Sequence, residues 1–232
     1  MKVLTTLLII FPFMIFSQIA ESTLSKDVIK KQYPLLEKAF KEKGLKFGNP
    51  VFIRIIKEDE VLEIWVKKEK TYVLYKSYSI CYFSGGIGPK KKKGDNKSPE
   101  GFYSVKPQHL NPYSTYHLSF DTGYPNEFDR SNSYTGSGLM VHGNCVSIGC
   151  YAMTDERIEE IYSIVHKSFD SGQELIKLNI FPFRMTEAKM NSHKNSEYYD
   201  FWKNIKEGYD YFEEQKIPPV VSVKNKKYVI EK

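Results

Sequence analysis

Residues 51–56 read VFIRII, residues 61–66 read VLEIWV and residues 72–83 read YVLYKSYSICYF. All three are rich in β-branched and aromatic residues with stretches of period-two alternation. Charged turns such as Lys57-Glu58-Asp59-Glu60 separate them. Side chains that branch at Cβ sit better on a pleated surface than on a helix. The pattern predicts a meander of antiparallel strands.

The flanks of this meander differ in period. Val28, Ile29, Tyr33, Leu36, Ala39 and Phe40 recur at helical spacing between Ser25 and Lys43, with Gly44 as a stop. Downstream, the glycine-rich SGGIGPKKKKGDNKSPEG reads as a loop, and its run Lys90–Lys93 as a solvated face rather than a binding patch. GFYSVKP and STYHLSF predict two further strands, and residues 121–138 a long irregular segment of the kind that is often functional. Thr154 to Phe169 is the clearest helix, with Thr154 or Asp155 as its cap. ELIKLNIFPF predicts a last core strand. Tyr198, Phe201, Trp202, Ile205, Tyr209 and Phe212 then form a helical stripe expected to pack on the domain, and VVSVKN with KKYVI a closing hairpin.

Composition limits the class. Aromatics at 15% and hydrophobic residues at 41% fit a folded globule, and a dispersed net charge of +6 over 232 residues does not suit a nucleic-acid reader. Met1-Lys2 followed by the apolar Val3–Phe16 resembles a secretory leader, too short to span a bilayer comfortably. Cleavage after Ser17 or Ser22 is expected, an uncleaved anchor being the alternative. No second apolar run follows, so no membrane span is expected after leader removal. Three cysteines, Cys81, Cys145 and Cys150, leave at least one thiol free in an oxidising compartment.

The chemistry concentrates in LMVHGNCVSIGCYAMTD, residues 139–155. His142 precedes Cys150 by eight positions, a separation that a strand–turn–strand can fold back. A thiolate is the nucleophile, and a nearby imidazole can take the thiol proton. Ser147 is placed to orient the imidazole or donate to a substrate. Gly149 permits a tight turn, and backbone N–H groups around Cys150 and Tyr151 suit an oxyanion. Two other readings compete. His142, Cys145 and Cys150 form a zinc-compatible set that lacks a fourth ligand, and a Cys145–Cys150 disulfide would block the nucleophile as an oxidised off state. Gly143, Tyr116, His117, Tyr124 and Asn126 are candidates for lining a substrate groove, with strand and loop packing as their bland alternative.

VHGNCVSIGCYAM resembles the signature of YkuD-type L,D-transpeptidases: His-Gly, then Ser-x-Gly-Cys-x-Arg-Met. His142-Gly143, Ser147-x-Gly149-Cys150 and Met153 match it, and SPEGFY resembles an upstream strand entry of that family. The gap between His-Gly and the serine is short, and Ala152 occupies the arginine position. Both departures, with YPNEFD, FPFRMT and the Trp202 tail, are similar to the YafK-like branch. The resemblance implies an α+β fold with a mainly antiparallel YkuD-like β-sandwich and flanking N- and C-terminal helices. Its expected division is a leader at 1–22, a helix at 23–49, a catalytic domain at 50–184, and a helical extension with terminal hairpin at 185–232. It implies acyl transfer on peptidoglycan stem peptides, with Cys150 as nucleophile and His142 as base, and with a wall-linked protein as a further acceptor. Hydrolysis by water at the same site and a non-catalytic wall-binding module are the alternatives. No metal or cofactor is expected, and the place of work is the periplasm or cell envelope.

Overall fold

The structure is a computed structural model that describes residues 19–231, so the leader expectation lies outside the described residues except for its last four positions. In chain order the elements are α1 (Thr23–Glu42), β1 (Val51–Ile56), β2 (Val61–Lys68), β3 (Thr71–Ser79), β4 (Gly101–Val105), β5 (Leu110–Asn111) and β6 (Ser119–Asp121). These are followed by α2 (Glu127–Ser131), β7 (Met140–His142), β8 (Tyr151–Ala152), α3 (Asp155–Asp170) and β9 (Ile176–Phe181). Last come α4 (Glu187–Ser192), α5 (Tyr199–Gln215), β10 (Val220–Lys224) and β11 (Lys227–Glu231).

A five-stranded sheet runs β3-β2-β1-β9-β4, a four-stranded sheet runs β5-β6-β7-β8, and β10-β11 form a hairpin. Pairing is antiparallel except between β1 and β9 and between β7 and β8. The fold is therefore α+β and mainly antiparallel.

The six residues of VFIRII are all buried, because both faces of the larger sheet are covered. Val51, Ile53 and Ile55 pack with Val28, Leu36 and Phe40 of α1, Ile158, Ile161 and Val165 of α3, and the core side of the smaller sheet. The opposite face carries Phe52 against Phe212, and Ile56 in a cluster with Phe181, Trp202 and Tyr209. Gly208 lets α5 approach closely, since a Cβ there would lie 2.5 Å from the Phe102 ring. The helical stripe of residues 198–212 is thus a packing face.

Two buried charge clusters fix α5 and the loop after β3. Arg54 pairs with Glu63 at 2.7 Å and with Glu213 of α5. Lys57 and Glu100, both fully buried, pair at 2.8 Å. The Lys57 ammonium also donates to the Gly88 and Ser98 carbonyls, and Trp202 donates to the other Glu100 oxygen at 2.9 Å. Buried charges need such complete partnering to be tolerated. The result is a loop, residues 84–100, pinned beside the smaller sheet.

The segment 121–138, expected to be irregular, contains a short helix. Asn126 caps α2, its side chain accepting from the Asp129 N–H while Asp129 accepts from the Asn126 N–H, a reciprocal capping box. Of STYHLSF only Ser119 and Phe120 pair as strand, in β6. Among the described residues no helix is long and apolar enough to cross a membrane.

Candidate functional site

The register of the smaller sheet assembles the site. Ser119 pairs with His142, Phe120 with Val141 and Asp121 with Met140; Val141 then pairs with Tyr151 and His142 with Ala152. Alternation sends Phe120, Val141 and Tyr151 into the core, where each is fully buried. His142, Met140 and Asp121 share the other face, and Cys150, one residue before β8, falls in step with them. His142 and Cys150 are one strand apart and two residues along. A strand spacing of about 4.8 Å and a rise of about 3.3 Å per residue put their Cα atoms about 8 Å apart, within side-chain reach.

His142 is held from two sides. Its Nδ1 lies 2.6 Å from the Gly143 carbonyl oxygen, and the Tyr116 ring covers it at 4.8 Å. A carbonyl only accepts, so Nδ1 carries the hydrogen and Nε2 presents its lone pair. Burial lowers the imidazole's affinity for protons below its ordinary value, partly countered by that carbonyl. Gly143 has no room for a side chain: a Cβ would lie 2.6 Å from Asp155 Oδ1.

Cys150 is the free cysteine among the described residues. Its sulfur accepts from the Met140 N–H at 3.3 Å and faces the Gly138 carbonyl at 3.7 Å. Burial raises the thiol above its ordinary value; the Met140 N–H and Ser147 oppose the rise, and Asp121 adds to it. The resting site is thus a neutral thiol beside a neutral imidazole.

Ser147 contacts neither imidazole nitrogen in the hydrogen-bond network; its Oγ accepts from the Cys150 N–H at 2.9 Å and so shapes the turn. The Gly149 N–H donates to Ser84 Oγ at 2.7 Å, and the Gly143 N–H is shared between the Tyr116 and Leu118 carbonyls. These donors are occupied, so an oxyanion role for Gly149 requires release from Ser84. Tyr151 is core, its hydroxyl donating to the Pro99 carbonyl. His117 turns away to pair with Glu159 at 3.1 Å. Tyr124 is buried with its hydroxyl on the Thr135 carbonyl, and Asn126 is the α2 cap. The last two nonetheless border open grooves near the site.

The alternative of a Cys145–Cys150 disulfide is not the pairing present. Cys145 is bonded to Cys81 instead. The segment after β3 explains why: Cys81 and Tyr82 N–H groups both donate to the Ala152 carbonyl, which lays Cys81 beside β8. Asn144 and Cys145 adopt left-handed backbone, turning the Cys145 side chain toward it. The three-residue zinc set is therefore unavailable with Cys145 oxidised, and among the described residues no cluster suited to a metal is present. Residue 152 is fully buried between His142 and Tyr82, which leaves no space for an arginine.

Sequence reasoning missed Met140, Ser84, Asp121 and Cys81. Three act through backbone pairing or a distant loop, which leaves no local signature; Asp121 stood at the head of the segment read only as irregular.

Fold and site together define a mixed α+β protein with a thiol and an oriented imidazole on one face of a small sheet. The YkuD L,D-transpeptidase catalytic domain matches residues 51–176, and the chain belongs to that family. It is 45% identical over 225 residues, 97% of this chain and 88% of the relative, to "Putative L,D-transpeptidase YafK" of Escherichia coli strain K12; the protein of that name from strain O157:H7 matches equally. The helical cell shape determining protein Pgp2 of Campylobacter jejuni aligns with a TM-score of 0.45 and 17% identity, covering 82% of this chain and 80% of that one.

Proposed function

We propose that the protein is an exported cysteine acyltransferase that acts on peptidoglycan stem peptides in the periplasm or cell envelope. The observation that supports this most is the fixed tautomer of His142, which leaves Nε2 unprotonated on the sheet face that carries Cys150. In the first step Nε2 takes the thiol proton as sulfur attacks the amide carbonyl that follows an L-centre. The C–S bond forms, the C–N bond breaks, and the imidazolium returns the proton to the leaving amine. A second amine then attacks the thioester, loses its proton to His142, and releases the thiol with a new amide. A stem peptide or a wall-linked protein supplies that amine.

Because the thiol is held neutral at rest, the base must act as the substrate arrives rather than through a standing thiolate. The test is acylation by a carbapenem followed by intact mass spectrometry. The wild-type protein and a Cys81→Ser/Cys145→Ser double variant are expected to gain one adduct, and Cys150→Ala none. An adduct on Cys150→Ala refutes the assignment.

A further inference from the structure

A groove of about 220 Å³ lies on the larger sheet, where the β2–β3 hairpin, the start of β9 and the turn after α5 meet. Lys67, Lys70 and Lys177 line it together with Tyr72, Leu175 and Ile217. Two carboxylates of the adjoining helices are already used: Asp170 pairs with Lys167, and Glu213 with Lys216 and Arg54. Among the described residues no carboxylate lies within ion-pair distance of Lys67, Lys70 or Lys177. The Lys177 ammonium donates to the Pro218 and Pro219 carbonyls at 3.0 and 2.6 Å, which leaves its third N–H for another acceptor.

The surplus of positive charge extends past the groove. The turn after α1 is laid along the hairpin: the Lys67 N–H donates to the Pro50 carbonyl, and the Asn49 side chain donates to the Lys67 carbonyl at 3.0 Å. A Cβ on Gly44 would lie 3.6 Å from Lys68 Nζ. Over residues 43–46, 67–70 and 173–177 six lysines stand against two acidic residues, Glu69 and Glu174, so this corner is strongly positive in a chain whose net charge is only +6. Leu175 and Ile217 are 38% and 39% exposed in the same groove. A soluble polyanion would pair with the lysines and leave both aliphatic side chains in water. A bilayer surface accommodates both kinds of group, because anionic headgroups meet the ammoniums while aliphatic side chains enter the headgroup–acyl boundary.

We propose that this corner docks on a bilayer that carries anionic phospholipids, with a headgroup phosphate seated among Lys67, Lys70 and Lys177. Leu175 and Ile217 enter the interface beside it. The groove belongs to the larger sheet and the nucleophile to the smaller one, so docking does not depend on the thiol chemistry.

The test uses protein recovered after export, its mass checked for loss of the leader, and flotation with two kinds of vesicle. One is phosphatidylcholine alone; the other is phosphatidylcholine and phosphatidylglycerol in equal parts. Binding is expected only to the second kind and is expected to weaken with added salt. Lys67→Gln/Lys70→Gln is expected to weaken it about fivefold per lysine. Lys92→Gln/Lys93→Gln, which removes two exposed lysines from the loop of residues 84–100, is expected to leave it unchanged. Leu175→Ser/Ile217→Ser is expected to lower vesicle binding severalfold while leaving binding to inorganic polyphosphate as it was. Equal urea midpoints show that the variants are folded. Equal binding to both vesicles, binding to neither, or equal losses from the two lysine pairs overturns the proposal. Binding to polyphosphate without binding to vesicles assigns the lysines to a soluble polyanion and overturns it as well.

Discussion

At the residue scale the chemistry depends on how two neutral groups are held. With burial raising the Cys150 thiol and lowering the His142 imidazole, the free protein carries little thiolate near neutrality. Alkylation of Cys150 by iodoacetamide is therefore expected to be slow at pH 7 and to rise only above the ordinary thiol value of about 8.5. A fast reaction at pH 6 contradicts this and indicates a standing thiolate–imidazolium pair. Acylation by substrate needs only a neutral base, so its rate is expected to persist somewhat below about pH 6.5, where an unperturbed imidazole would already be more than half protonated. His142→Gln is expected to lower kcat/KM by about 10²–10⁴-fold, measured with a stem tetrapeptide. Ala152→Arg is expected to lower stability by about 1–3 kcal/mol through overpacking, seen as a lower urea midpoint. That His142 and Cys150 come to share one sheet face was legible in the sequence because the spacing of reactive side chains is a linear property. The carbonyl that sets the tautomer and the N–H that meets the sulfur were not, since any residue type supplies them.

At the element scale the loop of residues 143–150 joins β7 to β8 and determines where the Cys150 thiol stands. It is tied at Cys145 to Cys81, at Gly149 to Ser84, and at Asn144 to Asp155 of α3. The disulfide spans 64 residues, and closing such a loop restricts the unfolded chain by about 4 kcal/mol in the entropic limit. Cys81→Ser/Cys145→Ser is expected to lose about 2–4 kcal/mol in chemical denaturation and to acylate more slowly, as fewer tethers hold the loop. Unchanged stability would show that the remaining tethers suffice. The pairing was invisible from spacing because Cys81 reaches Cys145 through the sheet edge at Tyr82–Ala152 rather than through the local chain. The helix α2 was missed for another reason: five polar-rich residues carry too little periodicity, although Asn126 three positions before Asp129 was a capping signal. The meander β1–β3 and the helix α3 were legible because long periodic runs on a covered core leave little freedom.

At the scale of the whole molecule, the site rests on two sheets that share one core, and buried ion pairs fix α5 and the loop of residues 84–100 to the larger of them. Lys57 and Glu100 connect β1, the loop of residues 84–100 and α5 through Trp202. Lys57→Met leaves the Glu100 carboxylate buried without its cation, and a loss of about 3–5 kcal/mol is expected. Lys57→Met/Glu100→Gln is expected to regain part of it. Equal losses in the two variants would show that the lysine stem, and not the charge pair, matters. This cluster had no sequence signature, since its members are 43 and 102 residues apart. Transfer of stem-peptide acyl groups by Cys150 is tested most directly by incubation with purified sacculi followed by muropeptide analysis. The wild-type protein is expected to form new linkages at the L-centre carbonyl, and Cys150→Ala to leave the profile unchanged. Loss of existing linkages without new ones would replace transfer by hydrolysis, and a profile that is the same with and without Cys150 would contradict catalysis by this thiol.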